Sequence, residues 1–172
     1  TKETCGLKFL KKGRKYIWES TMSGPLGNGV KNVQGKSMLG VQVRDIGQLL
    51  KNCRAAGNVD IAVAKLSNNP LSSKSLNRET TLRLRKCMRD YNGRSYDYNC
   101  FSLGATLFPA LRSCRRKVER ATKTQDWMFC SELVASVYRD VGVIKGTVCP
   151  SDVLPTDFID CSSPKIDSAI FD

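Results

Sequence analysis

The chain has 172 residues, 41% of them hydrophobic, and a formal net charge of +12 from 28 Lys and Arg against 16 Asp and Glu, with no histidine at all. That length and apolar share support one domain with a sizeable core, and the lack of any apolar run of about 18 residues excludes a membrane-spanning helix. Without His, and without a Cys-x-x-Cys pair among the eight cysteines, neither a metal site nor a cofactor is expected.

Residues 1–15 are basic, with Lys8, Lys11, Lys12, Arg14 and Lys15 around a turn at Gly13. "KYIWES" (15–20) is rich in β-formers and bounded by turn residues, which predicts a strand. Residues 22–37 are rich in Gly, Asn, Ser and Lys and predict a long loop. "GVQVRD" alternates as a strand does, and its final Asp45 can cap a short helix, "IGQLLKNCRAA", that Gly57 ends. "VDIAVAKL" (59–66) is the strongest strand pattern in the chain, and a polar loop with Pro70 follows.

Residues 75–91 predict a helix, started by Ser75 with Arg78 and Glu79 and carrying an apolar side of Leu76, Leu82, Leu84, Cys87 and Met88. "NGRSYDYN" is a turn, and 99–121 is helical with an interruption at Pro109. In "WMFCSELVASVYRDVGV" (127–143), Leu133, Val134, Val137, Tyr138 and Val141 recur at helical spacing, and Gly142 stops the helix. Pro150, Pro155 and Pro164 make the tail mostly loop, with a short strand at "AIF". Strands followed by helices predict an α+β domain spanning 1–172.

The charge is unevenly spread. Residues 1–126 carry 25 Lys and Arg against 9 Asp and Glu, a net +16, whereas residues 127–172 carry 3 against 7, a net −4. A basic body suits an anionic partner: a nucleic acid, an anionic membrane surface or an acidic protein. Solvated helix faces explain the same charges equally well, since no RNP-like or zinc-finger pattern accompanies them. The cysteines stand at 5, 53, 87, 100, 114, 130, 149 and 161. With no secretory signal pattern and no Asn-x-Ser/Thr sequon, a reduced intracellular setting is expected, and most of these thiols suit small core positions.

Cys130 is the exception, because it opens the helix of 127–143. The partial positive charge and free N–H groups of a helix start favour a thiolate and can hold the oxyanion of acyl chemistry. A cysteine nucleophile also wants an imidazole as base and acid, with a third group to orient it. Position alone therefore leaves two readings, nucleophile or one more buried thiol.

Several segments stand in a telling order: "YIWEST", "VQVRDIGQLL", "VDIAVAKL", "YNGRSYDY", "FCSELVASVYRDVGVI" and "PSDVLPTDFI". Together, over about residues 15–160, they resemble the circularly permuted papain-like cysteine amidases and peptidases of the NlpC-type superfamily, found in bacteria and large DNA viruses. The resemblance implies a permuted papain-like fold, a small antiparallel sheet packed against helices. It implies that Cys130 is the nucleophile and that Glu19 is the acidic orienter of the catalytic histidine. Tyr96 and Asp97 match a Tyr-Asp segment near the family's cleft, and they and Ser131 are implied to contact substrate. The substrate class would be an amide or ester: a peptide, an amino-acid amide or a lipid acyl group. The family's histidine lies on the strand before the one matched by "YIWES", and this sequence contains none. A chain that starts at Thr1 rather than Met is expected to lack that first strand, with the histidine upstream. The rival expectation keeps the fold without the base, as a catalytically inactive structural or interaction module, for example a virion component, that docks through its basic residues. Cytoplasm or virion is the expected setting.

Overall fold

In the computed structural model of the protein, residues 9–22, 31–57, 77–96 and 127–158 are described. The strand predicted at 59–66, the helix at 99–121, Asp97, the strand at "AIF" and four of the cysteines (5, 100, 114 and 161) lie outside these residues.

Strand β1 (Tyr16–Thr21) pairs antiparallel with β2 (Gly40–Asp45), Tyr16 opposite Asp45 and Thr21 opposite Gly40. Residues directly opposite in an antiparallel pair share a face, and successive residues alternate between faces. Trp18, Ser20, Val41 and Val43 therefore share one face, and Ile17, Glu19, Gln42 and Arg44 the other. Beyond β2, Val41 exchanges backbone hydrogen bonds with Arg94 and Gly93, both 2.8 Å, and Val33 donates to the Val43 carbonyl at 2.9 Å. β2 is thus flanked on both sides.

Helix α1 (Ile46–Ala56) follows β2 without a linker. Asp45 caps it by accepting from the Gln48 N–H at 3.2 Å, and Gly57 ends it at φ +63°, both as the sequence predicts. Helix α2 (Arg78–Tyr91) begins later than predicted: its cap is Asn77, which accepts from the Thr80 N–H at 2.7 Å, and not Ser75. The Asn77 carboxamide satisfies the orphan N–H of the third helical residue. Leu82 also departs from expectation, being 54% exposed, while Cys87 and Leu84 turn to the core. One hundred degrees per residue places Leu82 with Arg78 and Arg89 on the solvent side.

Helix α3 (Cys130–Asp140) packs on the Trp18–Val41 face of the sheet. Leu133, Val137 and Val141 join Val41, Met128 and Cys87 in the main core, and Ala135 joins Ile144 and Val153 in a second cluster on the helix's other flank. Burial of a Leu or Val side chain such as Leu133 or Val41 stabilises by about 1.5–3 kcal/mol. After Gly142, at φ +84°, the chain returns through 3-10 turns at Pro150–Asp152 and Pro155–Phe158, and the first of these packs on α3. The described residues form an α+β arrangement of two strands and three helices.

A polar cluster ties α2 to the end of α3. Tyr91 donates its hydroxyl proton to Asp140 Oδ2 at 2.7 Å, the Cys87 thiol donates to the same oxygen at 3.6 Å, and Arg139 binds Oδ1 at 3.2 Å. A carboxylate at a helix C-terminus is unfavourable on its own, and these donors offset that. Burial, and then the Asp140 charge, push the Cys87 thiol from its ordinary 9.0 up to about 12. Burial and the hydrogen bond to Asp140 raise the Tyr91 phenol too. Both groups stay protonated in the fold, so above pH 9.0 the native state binds more protons than the unfolded chain. Stability is therefore expected to be undiminished below pH 9.0 and to fall as pH rises toward about 12. Urea unfolding across that range checks this; Cys87→Ala should flatten the early part of the fall and leave the part due to Tyr91.

Candidate functional site

Cys130 is the first residue of α3 and is exposed, whereas Cys53 and Cys87 are buried and Cys149 is partly so. Its position is set by what precedes it. Phe129 is the N-cap, with φ −75° and ψ 163°, and has no side chain able to accept a hydrogen bond. Glu132 compensates, its carboxylate accepting from the Phe129 N–H at 3.4 Å. This is half of a capping box, and it gives Glu132 a structural role. Met128 and Leu133 meet in the core as a hydrophobic staple across the first turn, fixing the angle at which the chain enters the helix.

The approach to Cys130 is anchored twice more. The Ser20 hydroxyl, buried on β1, donates to the Met128 carbonyl at 2.6 Å. The Met128 N–H donates to the Ser95 carbonyl at 2.9 Å, beside a parallel bridge between Ser95 and Trp127. Tyr96, itself buried, meets the Phe129 ring edge to face with centroids 5.6 Å apart. Tyr96 thus packs against the residue that immediately precedes Cys130. Ser131, the next residue, is 8% exposed.

Glu19 occupies a different place. Alternation along β1 puts it on the face opposite Ser20, away from α3. There its carboxylate is held by the guanidinium of Arg44, through both Nε and Nη2. The Arg44 side chain is 3% exposed and that of Glu19 20%, so the pair is largely withdrawn from water. Gln42 shares this face; its Nε2 donates to the Met38 carbonyl at 2.7 Å, while its buried Oε1 has no hydrogen-bond partner among the described residues. The structure therefore brings Tyr96 and Cys130 into one neighbourhood and sets Glu19 on the far side of the sheet.

Comparison of the chain with protein-family models, with curated proteins and with solved structures finds no match. The chemistry of the site thus rests on its own geometry. Among the described residues no group of three or more His, Cys, Asp or Glu is arranged to hold a metal ion, and no helix is long and apolar enough to cross a membrane.

Sequence reasoning passed over Ser20, Arg44 and Gly40. A signal for the first existed: in a strand covered by a helix on one face, only one of Glu19 and Ser20 can look toward that helix. Choosing between them needs to know which face α3 covers. Arg44 carries no such signal, since a lone arginine in "GVQVRD" looks like an exposed strand position.

Proposed function

We propose that this domain is of the permuted papain-like, thiol-hydrolase type, with Cys130 as the nucleophile that attacks an amide or ester carbonyl. The observation that carries the reading is an exposed thiol on the first residue of an 11-residue helix whose entry is held by Ser20, Ser95, Glu132 and the Met128–Leu133 staple. Rigid presentation of a thiol at a helix start is what attack on a carbonyl needs, and the helix dipole favours the oxyanion that forms. Proton transfer needs an imidazole, and these 172 residues contain none, so it must come from outside them. Without it the rate falls by several orders of magnitude, as loss of a triad member does.

An activated ester tests the first half of the reaction on this chain alone. p-Nitrophenyl acetate is expected to give a single stoichiometric burst of p-nitrophenol and an acetyl group that stays on Cys130, because no base is present to direct water at the thioester. Cys130→Ser removes the burst. A burst of unchanged size in that variant, or an acetyl group mapped to another cysteine, sinks the reading. Iodoacetamide labelling followed by peptide mapping gives an independent check. Cys130 is expected to react on the order of 100-fold faster than Cys53 and Cys87, with Cys149 between them.

One observation favours a second reading, a non-catalytic module for an anionic partner. The solvent side of α2 carries Arg78, Arg85, Lys86 and Arg89 on one arc. Binding through that arc would weaken steeply with salt.

A further inference from the structure

A cleft of about 140 Å³, which Cys130 does not line, lies where the start of β1, the chain at 31–33 and the first turn of α1 converge. It is lined by Lys11, Arg14, Tyr16, Lys31, Asn32 and Asp45, with the 42% exposed Phe9 at its edge. We propose that this cleft binds a phosphate monoester group, an inference that does not depend on the role of Cys130.

The donors and acceptors around the cleft decide its chemistry. Asn32 is 7% exposed, and its Oδ1 is turned to its own loop, accepting from the N–H groups of Gln34 and Lys36, both at 3.0 Å. Two anchors on the oxygen fix the carboxamide plane, and the Nδ2 hydrogens, with no hydrogen bond recorded among the described residues, are left to the cleft. Tyr16 is set similarly: its oxygen accepts the Lys11 backbone N–H at 2.7 Å, which leaves the phenolic proton to donate. Lys11, Arg14 and Lys31 add three cations.

Asp45 is the one carboxylate in the lining, and both its oxygens are engaged. Oδ2 accepts from Arg14 at 3.0 Å and Oδ1 from the Gln48 N–H at 3.2 Å. The Arg14 hydrogen bond, then that from Gln48, holds the Asp45 carboxyl below its ordinary 3.8, so it stays charged and offsets one cation. The lining keeps a net +2 and is rich in donors, with the Gln48 carboxamide oxygen as an acceptor beside them. A neutral polar ligand would need more acceptors in return, and a carboxylate would use fewer of these donors than the three terminal oxygens of a phosphate monoester do. The volume is of the order that holds one group the size of a benzene ring, enough for a phosphate and not for a polymer segment.

The test uses the 172-residue chain at low ionic strength. Calorimetric titration with inorganic phosphate is expected to be saturable, with one site. Asn32→Asp keeps the acceptor for Gln34 and Lys36 and exchanges the Nδ2 donors for a second anionic oxygen, so binding should weaken on the order of tenfold or more. Lys11→Gln with Lys31→Gln should weaken it similarly, whereas Lys51→Gln with Arg54→Gln, the same charge loss at the far end of α1, should leave it unchanged. Far-UV circular dichroism confirms that each variant is folded. Equal weakening in the α1 control, or unchanged binding in Asn32→Asp, overturns the proposal in favour of diffuse attraction to the basic body. Phosphatidylcholine vesicles with and without phosphatidic acid separate the sources. Sedimentation with the phosphatidic-acid vesicles that free phosphate reverses assigns the group to a lipid headgroup. Phosphate binding without vesicle binding assigns it to a soluble ester. Failure to bind either one overturns the site.

Discussion

Glu19→Gln is expected to destabilise the protein by about 3–5 kcal/mol while leaving the alkylation rate of Cys130 unchanged. The first half follows from Arg44. Its guanidinium is 3% exposed, and Glu19 is its ion-pair partner on that face of the sheet. Glutamine keeps the shape and one acceptor but removes the charge, leaving a cation withdrawn from water with no anion to offset it. The charge of Arg44 cannot be shed to relieve this, as a buried lysine's can. The second half follows from strand alternation, since Glu19 and the α3-facing Ser20 project to opposite faces. Urea unfolding gives the stability, and iodoacetamide kinetics under native conditions give the reactivity. Arg44→Met together with Glu19→Leu, which removes both charges, is expected to recover much of the loss. A Glu19→Gln variant of wild-type stability with slowed Cys130 alkylation would instead place Glu19 in the machinery of the thiol.

Gly40→Ala is expected to be the most damaging single methyl in the described fold, costing more than about 4 kcal/mol. A Cβ at position 40 would stand 2.0 Å from the Arg94 carbonyl oxygen, with the Ser95 carbonyl carbon and Cα at 2.7 and 2.8 Å. All three are backbone atoms, so no side-chain rotation relieves the contact. The φ of +106° adds strain for any L residue. Gly40 also starts the link to the site: β2 bonds to Gly93 and Arg94, Ser95 bonds to Met128, and Met128 leads into Cys130. A chain that survived the substitution by moving 93–95 outward should therefore also lose protection of the Met128 amide in hydrogen exchange. Gly57→Ala is the fitting control. Its φ of +63° and ψ of 170° also disfavour an L side chain, but nothing lies within 4 Å of the added carbon, so it costs only backbone strain, about 1–3 kcal/mol, with no clash. Equal unfolding midpoints for the two variants would count against the close approach at Gly40.

Local order was legible in the sequence wherever one short stretch carries its own instructions. "GVQVRDIGQLLKNCRAAG" contains an alternating strand, a capping aspartate at the junction, an amphipathic helix and a glycine stop, and Gly40–Asp45, Ile46–Ala56 and Gly57 follow it residue for residue. The helix opened by Cys130 was legible for the same reason, with apolar residues at helical spacing and Gly142 after them. At α2 the local signals competed. Ser75 and Asn77 are both able to cap by residue type, and it is the Asn77 side chain that accepts the Thr80 N–H. Leu82 fitted an apolar stripe by type, yet the helix turns it outward because Thr80, Leu84, Cys87 and Tyr91 fill the arc that meets α3 and the sheet.

The sequence by itself determined the α+β class, the position of Cys130 at a helix start, and the concentration of positive charge before residue 127, because composition, periodicity and caps act within a few residues of one another. Only the tertiary structure decided that Ser20 faces the Met128 carbonyl while its neighbour Glu19 holds a buried arginine, that Gly40 must be glycine, and that Asn32, 16 positions from Tyr16, shares a cleft with it. Each of these depends on which side of a two-sided strand is covered, or on two backbones approaching closer than a Cβ allows. A period-two pattern marks the two faces without saying which one the helix will take, and that choice is made only when the core closes.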